Sequence, residues 1–364
     1  MPALGDDPTS PTWTVRVDGG SLPSDAYWDI IEIRVEQDLG AIGMLTIQLA
    51  NWDPVTQRHT WSDSSLLRVG AGVEVWLGEY APGSPTFLGE IVGIEPLWSR
   101  DRSPTVTVRA YDLLHRLTRS TATRTFVDLS DGEIAARIAR EAGLRAQVPR
   151  TGTKHRHVLQ SNQTDLDFLR SRARRGGYEV FVRGKELHFR QPALGEPVAH
   201  TLRVGEEIEE FAAWLSAAGR AGAETVRSWD VPTKQNIVLT RKSPVVSAMG
   251  AATVGLAQAD RVFGAATVTT ATVGVRGQQE AEDLAVGRLT TSALRYVEAE
   301  AEGEGLASLR TGTTIKVEGA GTTFSGTYYV VQVVHTRTAD HRFRTAYRLG
   351  RTATGATVAG VPAT

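Results

Sequence analysis

The chain alternates apolar and polar residues over many short stretches. Ile31, Ile33 and Val35 recur at every second position in "YWDIIEIRVEQD", as do Leu45, Ile47 and Leu49 in "MLTIQLA". Val73, Val75 and Leu77 repeat the pattern, and so do Val106, Val108 and Ala110. Gly, Pro and Asp break the runs. A period of two bounded by turn residues predicts strands with one buried face. Several such strands at short spacing predict a barrel or sandwich over residues 1–118.

The period changes in "TFVDLSDGEIAARIAREAGLRAQ", Thr125 to Gln147, which reads as a helix. Ser130 and Glu133 form the S-x-x-E capping box, in which the Ser side chain accepts from the Glu amide and the Glu reaches back to the cap. Leu129 and Ile134 stand at the positions of a hydrophobic staple, and Gly143 is placed to end the helix. A second helix opens at Thr164 and carries Asp165 and Asp167 in its first turn. It buries Leu166, Phe168 and Leu169 and stops at Gly176-Gly177. The hairpin "YEVFV-RGK-ELHF" follows, so residues 119–200 form a small α+β module.

Residues 201–276 return to strands but contain a low-complexity stretch, 243–275, whose pattern predicts no element. "GQQEAEDLAVGRLTTSALRY" predicts a helix weakened by Gly287. "TTIKVEG", "TYYVVQVVHT" and "RFRTAYRLG" then complete a second β-module over residues 277–352, with 353–364 expected to fray. The two β-modules resemble each other. Gly70 precedes "VEV" and Gly312 precedes "IKV". T-F-x-G occurs at Thr86 and at Thr323, and Ala-Tyr recurs at Tyr111 and Tyr347. A duplicated strand–turn–strand core, hence two related barrels in one chain, is the expectation. The fold class is therefore mainly β with an α+β insertion. Three copies of such a chain in a closed ring would present six similar modules.

Composition narrows the function. The 364 residues are 41% hydrophobic and 22% charged, with a formal net charge of −1. That describes a globular chain without the basic field that nucleic-acid binding calls for. Cysteine is absent, which removes disulfides, thiolate metal sites and a cysteine nucleophile. The N-terminus "MPALGDDPTSPTWTV" lacks the charged and apolar regions of a signal peptide, so synthesis in the cytoplasm is expected.

Candidate chemistry is sparse. A glycosidase needs two opposed carboxylates; "EEIEE" at Glu206–Glu210 and "EAEAEGEG" at Glu298–Gly305 are expected to be exposed edges or loops. His155 and His157 share a strand face with no carboxylate at ligand spacing, and an exposed polar strand is expected there. His115 and His335 lie by strand ends and are read as packing residues. H-E-x-x-H, P-loop, G-x-S-x-G and strand-linked G-x-G-x-x-G motifs are absent from the sequence. Hence no catalytic residue, metal or cofactor is assigned. Arg170, Arg172, Arg174 and Arg175 cluster beside Asp165, Asp167 and Glu179, which suggests salt links or a subunit interface. Trp28, Trp52, Trp61 and Trp98, with Arg170, Arg174 and Arg175, are the candidate interface residues, since aromatics and Arg dominate hot spots.

Four blocks carry a family resemblance: "VRAYDLLHRLTRSTATRTFVDLSDGEIAARIAREAGL", "VLQSNQTDLDFLRSRARRGGYEVFVRGKELHF", "VRSWDVPTKQNI" and "TTFSGTYYVVQVVHT". They resemble the phage late control D family, the tail hub proteins of contractile phages, which is similar to the hub part of the VgrG spike of type VI secretion and of extracellular contractile injection systems. The resemblance runs from Trp13 to Arg351 and is most specific over Gln160–Gly177. It implies two tube-protein-like barrels per subunit and a homotrimer that adapts a hexameric inner tube to a trimeric spike. The helix–hairpin module is then structural. Partners implied are the tube protein, a separate spike protein and baseplate or wedge proteins, with no membrane in the resting state and no specific nucleic acid. Ser228 stands where the family usually has Gly, and Pro244–Val268 has no family counterpart. A lysozyme-type hub that degrades cell wall and a nucleic-acid-binding β-barrel protein are the alternatives.

Overall fold

The computed structural model describes residues 13–78, 84–148, 153–230, 233–251, 253–271, 275, 277–340 and 342–355. Most of the N-terminal segment and residues 356–364 of the expected frayed tail lie outside them. Strands take 47% of the described residues and helices 20%, which makes the protein mainly β.

The first half comprises β1 (Trp13–Val17), β2 (Gly20–Ser21), α1 (Ser24–Asp29), β3 (Ile30–Asp38), β4 (Met44–Ala50), β5 (Gly72–Leu77), β6 (Phe87–Leu97) and β7 (Thr105–Asp112). Their alternating residues converge on one core that includes Ile33, Val35, Ile47, Val75, Ile91, Val108 and Trp61. One expected position shifts. A bulge between Ile30 and Glu32 resets the pleat, so Ile30 is buried while Ile31 is only partly so.

A short 3-10 turn, Leu113–Thr118, leads to β8 (Thr121–Ser130), α2 (Asp131–Glu141), β9 (Arg145–Gln147), β10 (Lys154–Thr164), α3 (Asp165–Gly176), β11 (Glu179–Arg183) and β12 (Glu186–Arg190). Residues Thr125–Leu129 are thus strand, not helix, and pair with β10. The helix starts where its cap is: Ser130 accepts from the Glu133 amide and Glu133 accepts from the Ser130 amide. Gly143 follows at φ 73°, and Gly177 ends α3 at φ 65°, left-handed values that favour glycine. Phe126, Ile134, Ile138, Leu169 and Phe189 fill a separate core.

The second half runs through β13 (His200–Arg203) and β14 (Ile208–Leu215), then an excursion of β15 (Ala223–Asp230), β16 (Gln235–Lys242), α4 (Gly255–Phe263), β17 (Thr267–Ala271) and α5 (Gln278–Ala293). The stretch that predicted no element therefore holds a helix and a strand, and β17 lies parallel to β15. β18 (Val297–Glu304), β19 (Thr314–Glu318), α6 (Gly321–Phe324), β20 (Gly326–Thr338) and β21 (Phe343–Arg351) close the chain around Ile315, Val317, Tyr328, Val330 and Leu349.

The two halves share one curled 13-stranded sheet, in the order β14-β18-β21-β20-β3-β4-β7-β6-β5-β1-β2, with β19 beside β20 and β13 beside β19. The seam is β20 against β3, antiparallel from Gln332↔Asp38 to Thr338↔Glu32. The strand order β3-β4-β7-β6-β5 of the first half recurs as β14-β18-β21-β20-β19 in the second. Bulges coincide too, at Ile91/Gly93 in β6 and Val330/Gln332 in β20. Gly70 donates its N–H to the Ile91 carbonyl and Gly312 to the Val330 carbonyl, each at 2.8 Å, so those two glycines are equivalent. The T-F-x-G letters are not. With Ile91 laid on Val330, Phe87 falls on Gly326, and Thr323-Phe324 lies in α6 instead of a strand. The duplication is one of topology, and part of its literal sequence match is out of register.

Candidate assembly surfaces

The aromatic candidates divide by burial. Trp28 on α1 is 74% exposed. Trp52 and Trp98 flank His59, with ring centroids 5.2 Å and 5.5 Å from it. Trp98 Nε1 lies 3.2 Å from His59 Nε2. These tilted and edge-on ring contacts present an aromatic patch where β4 and β6 end, and Trp98 is 56% exposed. Trp61 is a core residue at 4% exposure. Its indole N–H donates to the Asp29 carboxylate at 2.8 Å, which ties the Asn51–Gly70 loop to α1. Trp214 and Leu215 at the end of β14, and Val262 and Phe263 at the end of α4, are exposed as well. The sequence signal for the first pair was "FAAWL", which is apolar on both strand faces where a solvated strand would alternate.

The arginine cluster is largely internal to the chain. Arg172 Nε donates to Asp131 at 2.6 Å, and its guanidinium also lies 2.9 Å from His155 Nε2. His155 is buried beside Asp131, so the expectation of an exposed strand fails there: the strand pairs with β8 and turns this side chain toward α2 and α3. Burial pushes the Asp131 carboxyl up, but His155 and Arg172 outweigh it and hold the group below its usual range. Arg175 bridges to Glu280 of α5 at 2.6 Å, and Arg170 donates to the Gly40 carbonyl at 2.8 Å. Arg174 is exposed. The helix module is thus pinned to the first half through Arg170 and to α5 through Arg175. The backbones of Gly177 and Gly287 also touch: a Cβ on Gly287 would stand 2.5 Å from the Gly177 Cα.

Between these elements lies a cleft of about 1070 Å³, lined by Arg174, Arg220, Arg288, Arg295, Arg348 and Glu179 among others. Glu179 makes no ion pair with the α3 arginines. Burial pushes its carboxyl up to about 7, and it accepts from the Tyr329 hydroxyl at 2.6 Å. A second acid on the cleft, Glu298, is held by Arg295 at 3.4 Å and Arg220 at 3.8 Å. Glu298–Glu304 are not an edge or loop, since β18 is flanked by β14 and β21 and turns alternate residues outward. His335 is fully buried, pushed down to about 3 by burial, and contacts Thr345 Oγ1 at 3.0 Å. His115 Nε2 meets Glu90 at 2.6 Å. Both histidines hold packed structure together. Among the described residues no His, Asp and Glu side chains converge as a metal site, and no helix is long and apolar enough to cross a membrane.

This sheet with its excursions defines a class of fold known from phage tails. A 43 kDa tail protein of prophage MuSo2 from Shewanella oneidensis superposes with a TM-score of 0.70 at 14% identity, over 94% of this chain and 99% of that one. A tail protein from Neisseria meningitidis gives 0.68 at 13%, over 94% and 97%. A component of the E. coli type VI secretion system, described as similar to the T4 tail proteins gp27 and gp5, gives 0.57 at 13%, over 96% and 80%. The chain belongs to the family described as the Alg8 N-terminal domain, whose model matches residues 7–338. No curated protein matches it. The shared fold bears out the coarser part of the sequence resemblance, to tail and type VI secretion components; the late control D assignment belongs to the proposal below.

Proposed function

We propose that the chain is a structural baseplate hub of the late control D kind, in a contractile phage tail or contractile injection system. Three copies form a ring of six like modules, which seats a hexameric inner tube on one face and a trimeric spike on the other. The observation that carries this reading is the twofold occurrence of one strand order and one bulge position within a single chain. Its fold likeness to tail and secretion components supports it. Residues 1–118 and 277–352 are then the two tube-like units, 119–200 the inserted helix–hairpin module, and 201–276 the strands and excursion that complete the second unit. Trp28, Trp52, Trp98 and Arg174 are the exposed residues offered to partners, while Trp61, Arg170 and Arg175 hold the chain's own parts together. The hub acts by matching symmetry and transmitting force, without catalysis. It reaches its place by incorporation into the particle.

Sedimentation of the purified protein, alone and with the spike and tube proteins of the same particle, tests the reading. Mass of three chains and co-sedimentation with both partners are expected. A monomer that binds neither would overturn it. The cell-wall alternative draws on Glu179, whose raised carboxyl faces a cleft. Clearing in a peptidoglycan gel, lost on Glu179→Gln, would favour that reading instead.

A further inference from the structure

Two strand edges of the large sheet carry no partner among the described residues, and they occupy matched places in the repeat. In the seam within the chain, β3 pairs with the part of β20 beyond its bulge, on the side that β19 leaves free. The counterpart of β3 is β14: each carries a bulge near its start, Ile30/Glu32 and Ile208/Glu210. The counterpart of β20 is β6, where β5 covers only Phe87–Glu90 in strand pairing. Beyond its bulge, β6 has β7 on one side and no strand on the other, and β14 past Ile208, which bridges to Val204, has only β18.

We propose that these edges are complementary, so that β14 of one copy adds to β6 of the next and repeats between chains the seam that β3 and β20 make within one. The register follows from the repeat. Laying Ile208 on Ile30 and Ile91 on Val330 carries Gln332↔Asp38 onto Gly93↔Ser216, and Thr338↔Glu32 onto Ser99↔Glu210. Leu97 then faces Ala212.

The side chains agree with this register independently. The core-facing positions of the internal seam include Ile33, Val35, Val333 and His335, all buried. Their face continues in the new seam as Ile94, Pro96 and Trp98 opposite Leu215, Ala213 and Phe211, every one apolar. A shift of one residue would turn β14's other set, with Glu210, onto that face. Backbone direction agrees as well. The Ser216 N–H is spent on the Tyr296 carbonyl beside β18, which turns Leu215, Ala213 and Phe211 outward in alternation. Large apolar side chains stand exposed at both edges, Leu97 and Trp98 on one, Trp214 and Leu215 on the other. Pro96 supplies no N–H, which removes one bond from the seam and blunts β6 against indiscriminate pairing. The contact is head-to-tail, so it propagates around a ring. Closure at three rests on the hub reading; the pairing itself rests on the repeat.

The chain has no cysteine, so engineered disulfides report cleanly. Directly opposed residues come within disulfide range and residues two out of register do not. Oxidised Leu97→Cys/Ala212→Cys protein is expected to run as a reducible product of three chains. Each single variant, and the offset pair Leu97→Cys/Glu210→Cys, is expected to stay uncrosslinked. Crosslinking of Leu97→Cys alone, or equal crosslinking of the offset pair, would overturn the register. No crosslink in a protein that still sediments as a trimer would overturn the edge pairing and leave the hub reading standing, whereas a monomeric unsubstituted protein would overturn both. Should the double variant not fold, Ala213→Pro reads the same contact by removing an outward N–H from β14. At least tenfold weaker association with unchanged circular dichroism is expected, and undiminished association would overturn the proposal.

Discussion

Glu179 shows what a buried side chain does to the stability of this protein. Its carboxyl is pushed up to about 7, above the ordinary value of 4.5, because burial disfavours the charged form more than the Tyr329 hydroxyl supports it. The folded state therefore keeps a proton that the unfolded chain releases between those values, and stability falls as pH rises through that window. Glu179→Gln stays neutral and can still accept from Tyr329. It is expected to match the unsubstituted protein near pH 4 and to be the more stable at pH 8, by on the order of 2 kcal/mol. Urea midpoints at the two pH values check this, and an equal difference at both would show that the carboxyl is solvated. His335 works in the opposite sense. Its pKa is pushed down to about 3 by burial, with Arg310 adding to the shift, so its contribution is complete above about 6.5 and is lost as pH falls toward 3. The sequence made His335 legible as a packing residue because it continues an apolar strand, although that strand runs on to Thr338 and does not end there. Glu179, placed by the sequence among salt links or a subunit interface beside α3, instead meets Tyr329, which is remote in the chain and so not legible locally.

Helices whose ends are written locally were the most legible elements. The capping box at Ser130 needs only residues three apart, and the structure contains both of its hydrogen bonds. Ser130→Ala removes one of them and is expected to cost about 1 kcal/mol in a thermal or urea melt; a loss under a few tenths would mean that tertiary packing alone fixes the start of α2. Bulges were not legible, because a bulge is a relation between two strands and either sequence alone looks regular. For lack of a side chain, Gly287 weakens the helical pattern of α5, and the structure shows why glycine is needed. The helix crosses Gly177 at backbone distance, so a Cβ at Gly287 would meet backbone atoms at 2.5 Å. Alanine would gain about 1 kcal/mol of helix propensity. The clash with atoms that cannot swing away is expected to outweigh that gain, leaving Gly287→Ala destabilised by about 1–3 kcal/mol. A variant as stable as the parent would show that α3 and α5 can move apart freely.

At the scale of the molecule, alternation and turn residues disclosed two β-modules, but not that they share a sheet. Joining them depends on β20 extending past its bulge to meet β3, a pairing between residues some three hundred positions apart. That seam bears on how the chain unfolds. Separate cores usually open separately, and here the first and second halves have distinct clusters. Several ties oppose separation, among them the β20–β3 ladder, Phe343 of β21 packed into the core of the first half, and the Arg348–Asp38 ion pair at 3.2 Å. The Arg175–Glu280 bridge and the Gly177–Gly287 contact hold the helix module to α5. Opening either half would strip a long strand of its partner, and opening the helix module would uncover the buried Glu280. Amides of Ile33 and Ile47 in the first half are therefore expected to exchange through the same global opening as those of Val333 and Tyr347 in the second, with free energies within about 1 kcal/mol of each other. Native-state hydrogen exchange at a fixed protein concentration measures this directly, since association would stabilise both halves together. An intermediate with one set protected and the other exchanged would show that the seam is weak. A ring built from such chains would then lack the fixed angle between modules that carrying six-fold order across three subunits demands, so the mechanical reading and the folding behaviour stand on the same ladder of hydrogen bonds.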